Sequence, residues 1–142
     1  MIKDITDKFV MDCSAVMSLL FLDEYNKQSE ILEMLFKTHA AIVPSIWHYE
    51  VSNVISMTQE NKRITEANAL EFKAILKTLP IITDETSTVR AIEATLSLSR
   101  EHKLTVYDAA YLELAMRIGV SLATHDKALK RAAKKVGTEL TW

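Results

Sequence analysis

Five short β-branched or apolar segments, at 8–11, 40–43, 80–83, 120–123 and 138–141, recur along the chain with longer helical patterns between them. Consecutive parallel strands need a long crossover, usually a helix, so this alternation predicts βαβ units and an α/β fold with a largely parallel sheet. The helices read at 15–22, 28–37, 45–61, 65–79, 107–118 and 127–136, with one more starting at Asp84 or Thr86 and running to about His102. Ile46, Trp47, Val51, Val54, Ile55 and Met57 repeat at near-helical spacing in the third of these. Thr65 caps the fourth, Leu70, Phe72, Ile75, Leu76 and Leu79 give it an apolar face, and Pro80 ends it. The chain has only two glycines, and Gly119 and Gly137 both fall where a helix should stop.

A length of 142 residues, 49% apolar and 25% charged, is that of one globular domain, taken as 1–142, with enough apolar mass for a real core. The single cysteine, Cys13, excludes an internal disulfide and reads as a small buried thiol. With no basic-plus-apolar leader, and every apolar run broken well short of the roughly 20 residues that span a bilayer, the chain is expected to be cytoplasmic with no membrane partner. The net charge of −2 does not itself suggest a polyanionic partner, but the charge is uneven. Lys127, Lys130, Arg131, Lys134 and Lys135 follow one another with no acid between them, on what is otherwise an ordinary solvated helix face.

Four carboxylates mark the ends of apolar runs: Asp12, Glu50, Asp108 and Asp126. Asp12 and Asp126 fall just past the carboxyl ends of strands, where parallel sheets bind their ligands. Glu50 and Asp108 fall in the first turns of helices, where the helix dipole favours an acid whether or not it does anything else. Each acid alone is explained as a cap, but the set of four is not, because independent caps need not converge on one sheet edge. Gathered carboxylates repel unless a cation sits between them, and oxygen donors without paired Cys or His select a hard ion, Mg²⁺ or Mn²⁺. Ser14 and Thr124 are placed to orient a carboxylate or bound water, with helix capping and strand-end polarity as their ordinary alternatives. Asn53 lies one turn after Glu50, and His48 and His125 lie beside proposed ligands, although a lone histidine is more often a packing residue. The basic run that starts beside Asp126 completes what a phosphodiester substrate requires, a metal with a cationic rim.

These segments resemble the PIN-domain ribonucleases, and within them the VapC-type toxins of toxin–antitoxin pairs. Residues 9–15 are similar to the family's first strand and its Asp-x-Ser segment, residues 44–54 to its second acidic motif, and Tyr107-Asp108-Ala109-Ala110-Tyr111 to its third, the most specific match. Leu122-Ala123-Thr124-His125-Asp126 with the following basic helix resembles the fourth, and no acid is missing. The resemblance implies a three-layer α/β/α fold around a mainly parallel sheet of four to five strands. It also implies metal-dependent endoribonuclease activity, with Asp12, Glu50, Asp108 and Asp126 holding one or two Mg²⁺ or Mn²⁺ ions, RNA as substrate, a cognate antitoxin that inserts into the groove, and a homodimer. Apolar surface at 20–22, 31, 35–36 and 57–76 is more than a small sheet needs, so part of it is available to a partner. Other readings compete: a free-standing PIN nuclease outside any toxin pair, a catalytically silent metal- or RNA-binding module, a purely structural α/β domain, which leaves the grouped acids unexplained, and a phosphatase or receiver-type protein. The last lacks its usual second Asp beside the nucleophile.

Overall fold

A computed structural model describes residues 7–142; the segment read for a leader begins outside them. The element order is β1 (Asp7–Met11), α1 (Cys13–Leu20), α2 (Lys27–Leu35), β2 (His39–Pro44), α3 (Ile46–Glu60), α4 (Glu66–Thr78), β3 (Ile81–Asp84), α5 (Leu96–His102), α6 (Val106–Ile118), β4 (Leu122–Ala123) and α7 (Lys127–Val136). A 3₁₀ turn, Leu22–Glu24, follows α1, and a π-helical turn, Ala91–Thr95, leads into α5. The four strands are all parallel, in the order β3-β2-β1-β4. Helices cover both faces of this sheet, which makes the expected three-layer α/β/α arrangement.

Side chains and local geometry account for most of the boundaries. Asp12, Thr105 and Asp126 each accept a backbone N–H at the start of α1, α6 and α7, and α2 and α4 open on capping boxes, Asn26 with Ser29 and Thr65 with Asn68. Gly119 and Gly137 end α6 and α7 with φ of 69° and 79°, a left-handed conformation that a side chain disfavours. The core runs through the sheet and α6: Val10, Met11, Val43, Leu112, Leu114 and Leu122 are all buried. Burying each such side chain stabilises the fold by roughly 1.5–3 kcal/mol.

Two expectations are corrected. The segment 138–141 contributes only an isolated parallel bridge, Leu122 to Glu139, because β4 is two residues long and leaves little edge to pair with. The helix expected to begin at Asp84 or Thr86 does not: Asp84 is the last residue of β3, bound to Arg117 and Ser87, and the helical path starts at Ala91 with a widened turn. Among the described residues no helix is long and apolar enough to cross a membrane.

Candidate active site

The strand order creates the site. From β1 the chain adds β2 and then β3 on one side, whereas β4 pairs on the other, so the topology reverses between β1 and β4. Crossover helices leave in opposite directions there and open a crevice at the carboxyl ends of those strands. Asp12 directly follows β1, and Thr124, His125 and Asp126 directly follow β4.

Hydroxyls stitch the two strand ends together. Ser14 donates to Asp12 Oδ1 at 2.7 Å, Thr124 donates to Asp12 Oδ2, and the Ala15 N–H donates to Oδ1 at 3.0 Å. The same hydroxyls accept from the β4 side: the His125 N–H reaches Ser14 Oγ at 2.9 Å, and the Asp126 N–H reaches Thr124 Oγ1 at 3.0 Å. Asp12 is only 4% exposed. Burial pushes its carboxyl up to about 6 against the lowering effect of these hydrogen bonds, and the charge of Asp108 adds to the rise.

Asp108 is the electrostatic centre of the group. Its charge raises both Asp12 and Glu50, and Asp126 in turn raises Asp108; for Glu50 and Asp108, as for Asp12, burial is the larger cause. Glu50, one turn into α3, is held by the Tyr111 hydroxyl, which donates to its Oε1 across 61 residues of sequence. That bond sets the direction of the acid whose helical position was the least constrained by the sequence. Tyr111 is 1% exposed, and burial together with Glu50 keeps its phenol protonated and therefore a donor. Asp126 accepts from the Leu129 N–H at 2.8 Å through Oδ1, which leaves Oδ2 without a protein donor among the described residues. Cys13 is half-buried, and burial with Glu50 and Asp12 pushes its thiol up to about 12, so it is no nucleophile at neutral pH.

The chemistry of this donor set fits a hard divalent cation: oxygens only, mutual repulsion within the group, and, among the described residues, no Lys or Arg paired with any of the four acids. The acids share one field but not one coordination sphere, since among the described residues no three His, Cys, Asp or Glu side chains close into a metal cage. Of the other expected residues, Ser14 and Thr124 touch Asp12 directly. Asn53 does not join them: it is exposed and its amide donates to Met57 Sδ at 3.4 Å, along its own helix. His48 bridges α3 to Thr83 of β3 at 2.8 Å. Lys127, Lys130, Arg131, Lys134 and Lys135 line the outer face of α7 and make no ion pair within 4.0 Å among the described residues. Two residues of the site neighbourhood were not singled out from sequence. Tyr111, three residues after Asp108 and so on the same face of α6, had a readable spacing. Trp142, which stacks on His125, had none.

The sequence model of the PIN domain family matches residues 9–135, and the chain belongs to that family, of the VapC type. Ribonuclease VapC1 of Mycobacterium tuberculosis is 30% identical over 128 residues, covering 89% of this chain and 91% of its own. Ribonuclease VapC3 of Pyrobaculum aerophilum is 29% identical over 127 residues, covering 86% of this chain and 92% of its own. Among solved structures, PAE2754 from Pyrobaculum aerophilum superposes with a TM-score of 0.65 at 17% identity, over 97% of this chain and 91% of that one. VapC20 of Mycobacterium tuberculosis, a sarcin–ricin-loop-cleaving toxin, gives 0.58 at 14% identity, over 87% of this chain and 94% of that one. At these identities the structural likeness is one of fold.

Proposed function

We propose that the protein is a metal-dependent endoribonuclease, the toxin of a toxin–antitoxin pair, with Asp12, Glu50, Asp108 and Asp126 as its catalytic and metal-holding residues. The observation that carries this is the coupling of Asp108 to each of the other three acids at the switch point of the sheet, with no cation paired to any of them among the described residues. The VapC ribonucleases that resemble the chain over most of its length support the same reading.

Asp12, Glu50, Asp108 and Asp126 would hold one or two Mg²⁺ or Mn²⁺ ions. When bound, such an ion lowers the pKa of water to supply a nucleophile and offsets charge that builds on the phosphate. The chain's own residues do the positioning. Ser14, Thr124 and the Ala15 N–H fix both oxygens of Asp12, so this carboxylate does not reorient when substrate arrives. Tyr111 holds Glu50 through its Oε1. A carboxylate of the four not fully committed to the metal accepts the proton from the attacking water. The cationic face of α7, from Lys127 to Lys135, steers the RNA backbone toward the crevice.

The same reading gives the protein a cytoplasmic setting, a cognate antitoxin and a homodimeric state. Tyr49 and Tyr107, each beside a site acid, are 74% and 62% exposed, and Val89 and Ile92 are more exposed still, which is apolar area available to a partner. The experiment is cleavage of a labelled RNA pool with Mg²⁺ or Mn²⁺, with EDTA, and with Asp12→Asn. Cleavage that needs the ion and vanishes in the variant is the expected result; RNA left intact by clean wild-type protein under every metal condition would sink the enzyme, and retained activity in Asp12→Asn would sink the site assignment.

A further inference from the structure

A cleft of about 730 Å³ opens beside the acids, walled by Cys13, Ser14, Tyr25, Asn26, Val54 and His125. Two of its wall residues, Cys13 and Ser14, immediately follow Asp12 in the chain. His125 borders this space, and its ring lies flat against Trp142, with ring centroids 4.9 Å apart and planes 9° from parallel. A residue 17 positions later in sequence therefore backs an imidazole that sits between two site residues, Thr124 and Asp126. The backbone N–H of His125 is bound to Ser14, which ties the residue's main chain to the segment after Asp12.

The cleft's polar edge suits a nucleobase. Asn26 uses Oδ1 to cap α2 and leaves its Nδ2 donors without a protein acceptor among the described residues, while the Tyr25 ring is 38% exposed on the same wall. Asp23 and Glu24 would repel an RNA backbone if left bare, but Arg63 pairs with both, at 3.0 and 3.3 Å, and stacks over Phe21. Unpaired RNA bases are recognised by splaying them out onto aromatic faces and bonding their edges, and a space of this size holds one with room for water.

We propose that this cleft receives one unstacked nucleobase of the RNA, with His125 as its stacking surface and Trp142 as the positioning residue that holds the imidazole in place. The inference rests on the ribonuclease reading and adds to it a base-binding subsite. The test is fluorescence anisotropy of labelled ten-nucleotide RNA homopolymers of A, C and U, and of an abasic chain of equal length and charge, with Ca²⁺ present and chain integrity checked on a gel. Wild-type protein is expected to bind at least one base-bearing RNA about 10-fold or more tighter than the abasic chain. His125→Ala is expected to lose about 5–100-fold on that RNA and nothing on the abasic chain, His125→Phe to keep the binding, and Trp142→Ala to lose part of it, recovered in Trp142→Phe. Equal binding of base-bearing and abasic chains, equal losses on both in His125→Ala, or loss in His125→Phe despite a native circular dichroism spectrum would each overturn the subsite. If the wild type still cuts RNA, only the subsite falls; if it neither binds nor cuts any RNA, the function falls with it.

Discussion

The molecule contains two clusters of acids, and they are built in opposite ways. At the end of β3, Asp84 and Glu113 are interleaved with arginines: Arg117 reaches Asp84 at 2.6 Å and Glu113 at 2.8 Å, Arg90 also donates to Glu113, and Ser87 donates to Asp84. Around the ends of β1 and β4, Asp12 and Asp126, with Glu50 of α3 and Asp108 of α6, have no such partner among the described residues. The consequences for charge run in opposite directions. Burial pushes Asp84 up, but its bonds to Arg117 and Ser87 overcome that and hold it below the usual carboxylate range, whereas Asp12, Glu50 and Asp108 all end above it. The first cluster is internally neutral and ties β3, the following loop and α6 together. The second keeps its mutual repulsion, which a proton or an external cation would offset. Position explains the difference: Asp84 lies two strands from β1, roughly 10 Å across the sheet, and away from the crevice where ligands enter.

This contrast can be broken at either end. The largest expected effect on stability comes from Glu113→Ala, because Glu113 is 3% exposed and its loss leaves two arginines without their shared acceptor. Chemical denaturation should show a loss of roughly 3 kcal/mol, toward the low end of the range for broken buried pairs because Arg90 is itself 44% exposed. Divalent-ion affinity of the folded variant should not change; a large change there would show that the two clusters are not separate. Asp12→Asn should do the reverse, lowering RNA cleavage by about 10²–10³-fold while the helix cap survives, since Asn caps nearly as well as Asp.

A smaller effect separates the clusters by pH. The folded carboxyl of Asp12, at about 6, lies above the ordinary aspartate value, so the folded state binds the extra proton and the contribution of Asp12 to stability falls as pH rises from about 4 to about 6. Without divalent ions, Asp12→Asn should therefore gain on the wild type across that window by roughly 2–3 kcal/mol, and Mn²⁺ should reverse the order at pH 7 by stabilising only the wild type. A difference that stays flat with pH would remove the uncompensated charge from the argument. Asp84 has the opposite sign: its lowered value contributes stability above the ordinary carboxylate range that is lost as pH falls through it. The smallest effect tests Tyr111. Tyr111→Phe removes one hydrogen bond to Glu50 and leaves the ring in the core, so cleavage should drop about 10-fold, within the range for residues that orient a metal ligand, with melting temperature little moved. An unchanged rate would show that Glu50 needs no such restraint.

Most of the fold was readable because its signals are local. The 3.6-residue apolar spacing of α3 and α4, the caps at Thr65 and Asp126 and the stops at Gly119 and Gly137 depend on neighbours within a few positions. The start of α5 was misjudged because Asp84, a good cap by composition, is engaged by Arg117 from 33 residues away. The strand at 138–141 looked extended but found only two residues of β4 beside it. Within the candidate site, the four acids are proposed from their type and position, whereas Asn53, on the right face by spacing, bonds along its own helix.

The sequence by itself determined the element order, the parallel α/β class and the four acids, since each follows from short-range periodicity, capping chemistry or residue type. Only the tertiary structure decided which of the chain's acids remain uncompensated, because that depends on which side chains arrive from distant segments. Arg117 reaches Asp84, Tyr111 reaches Glu50 and Trp142 reaches His125 only once the sheet has ordered its strands as β3-β2-β1-β4. No spacing in the chain encodes those meetings, because the crossovers bring together residues that local pattern treats as unrelated.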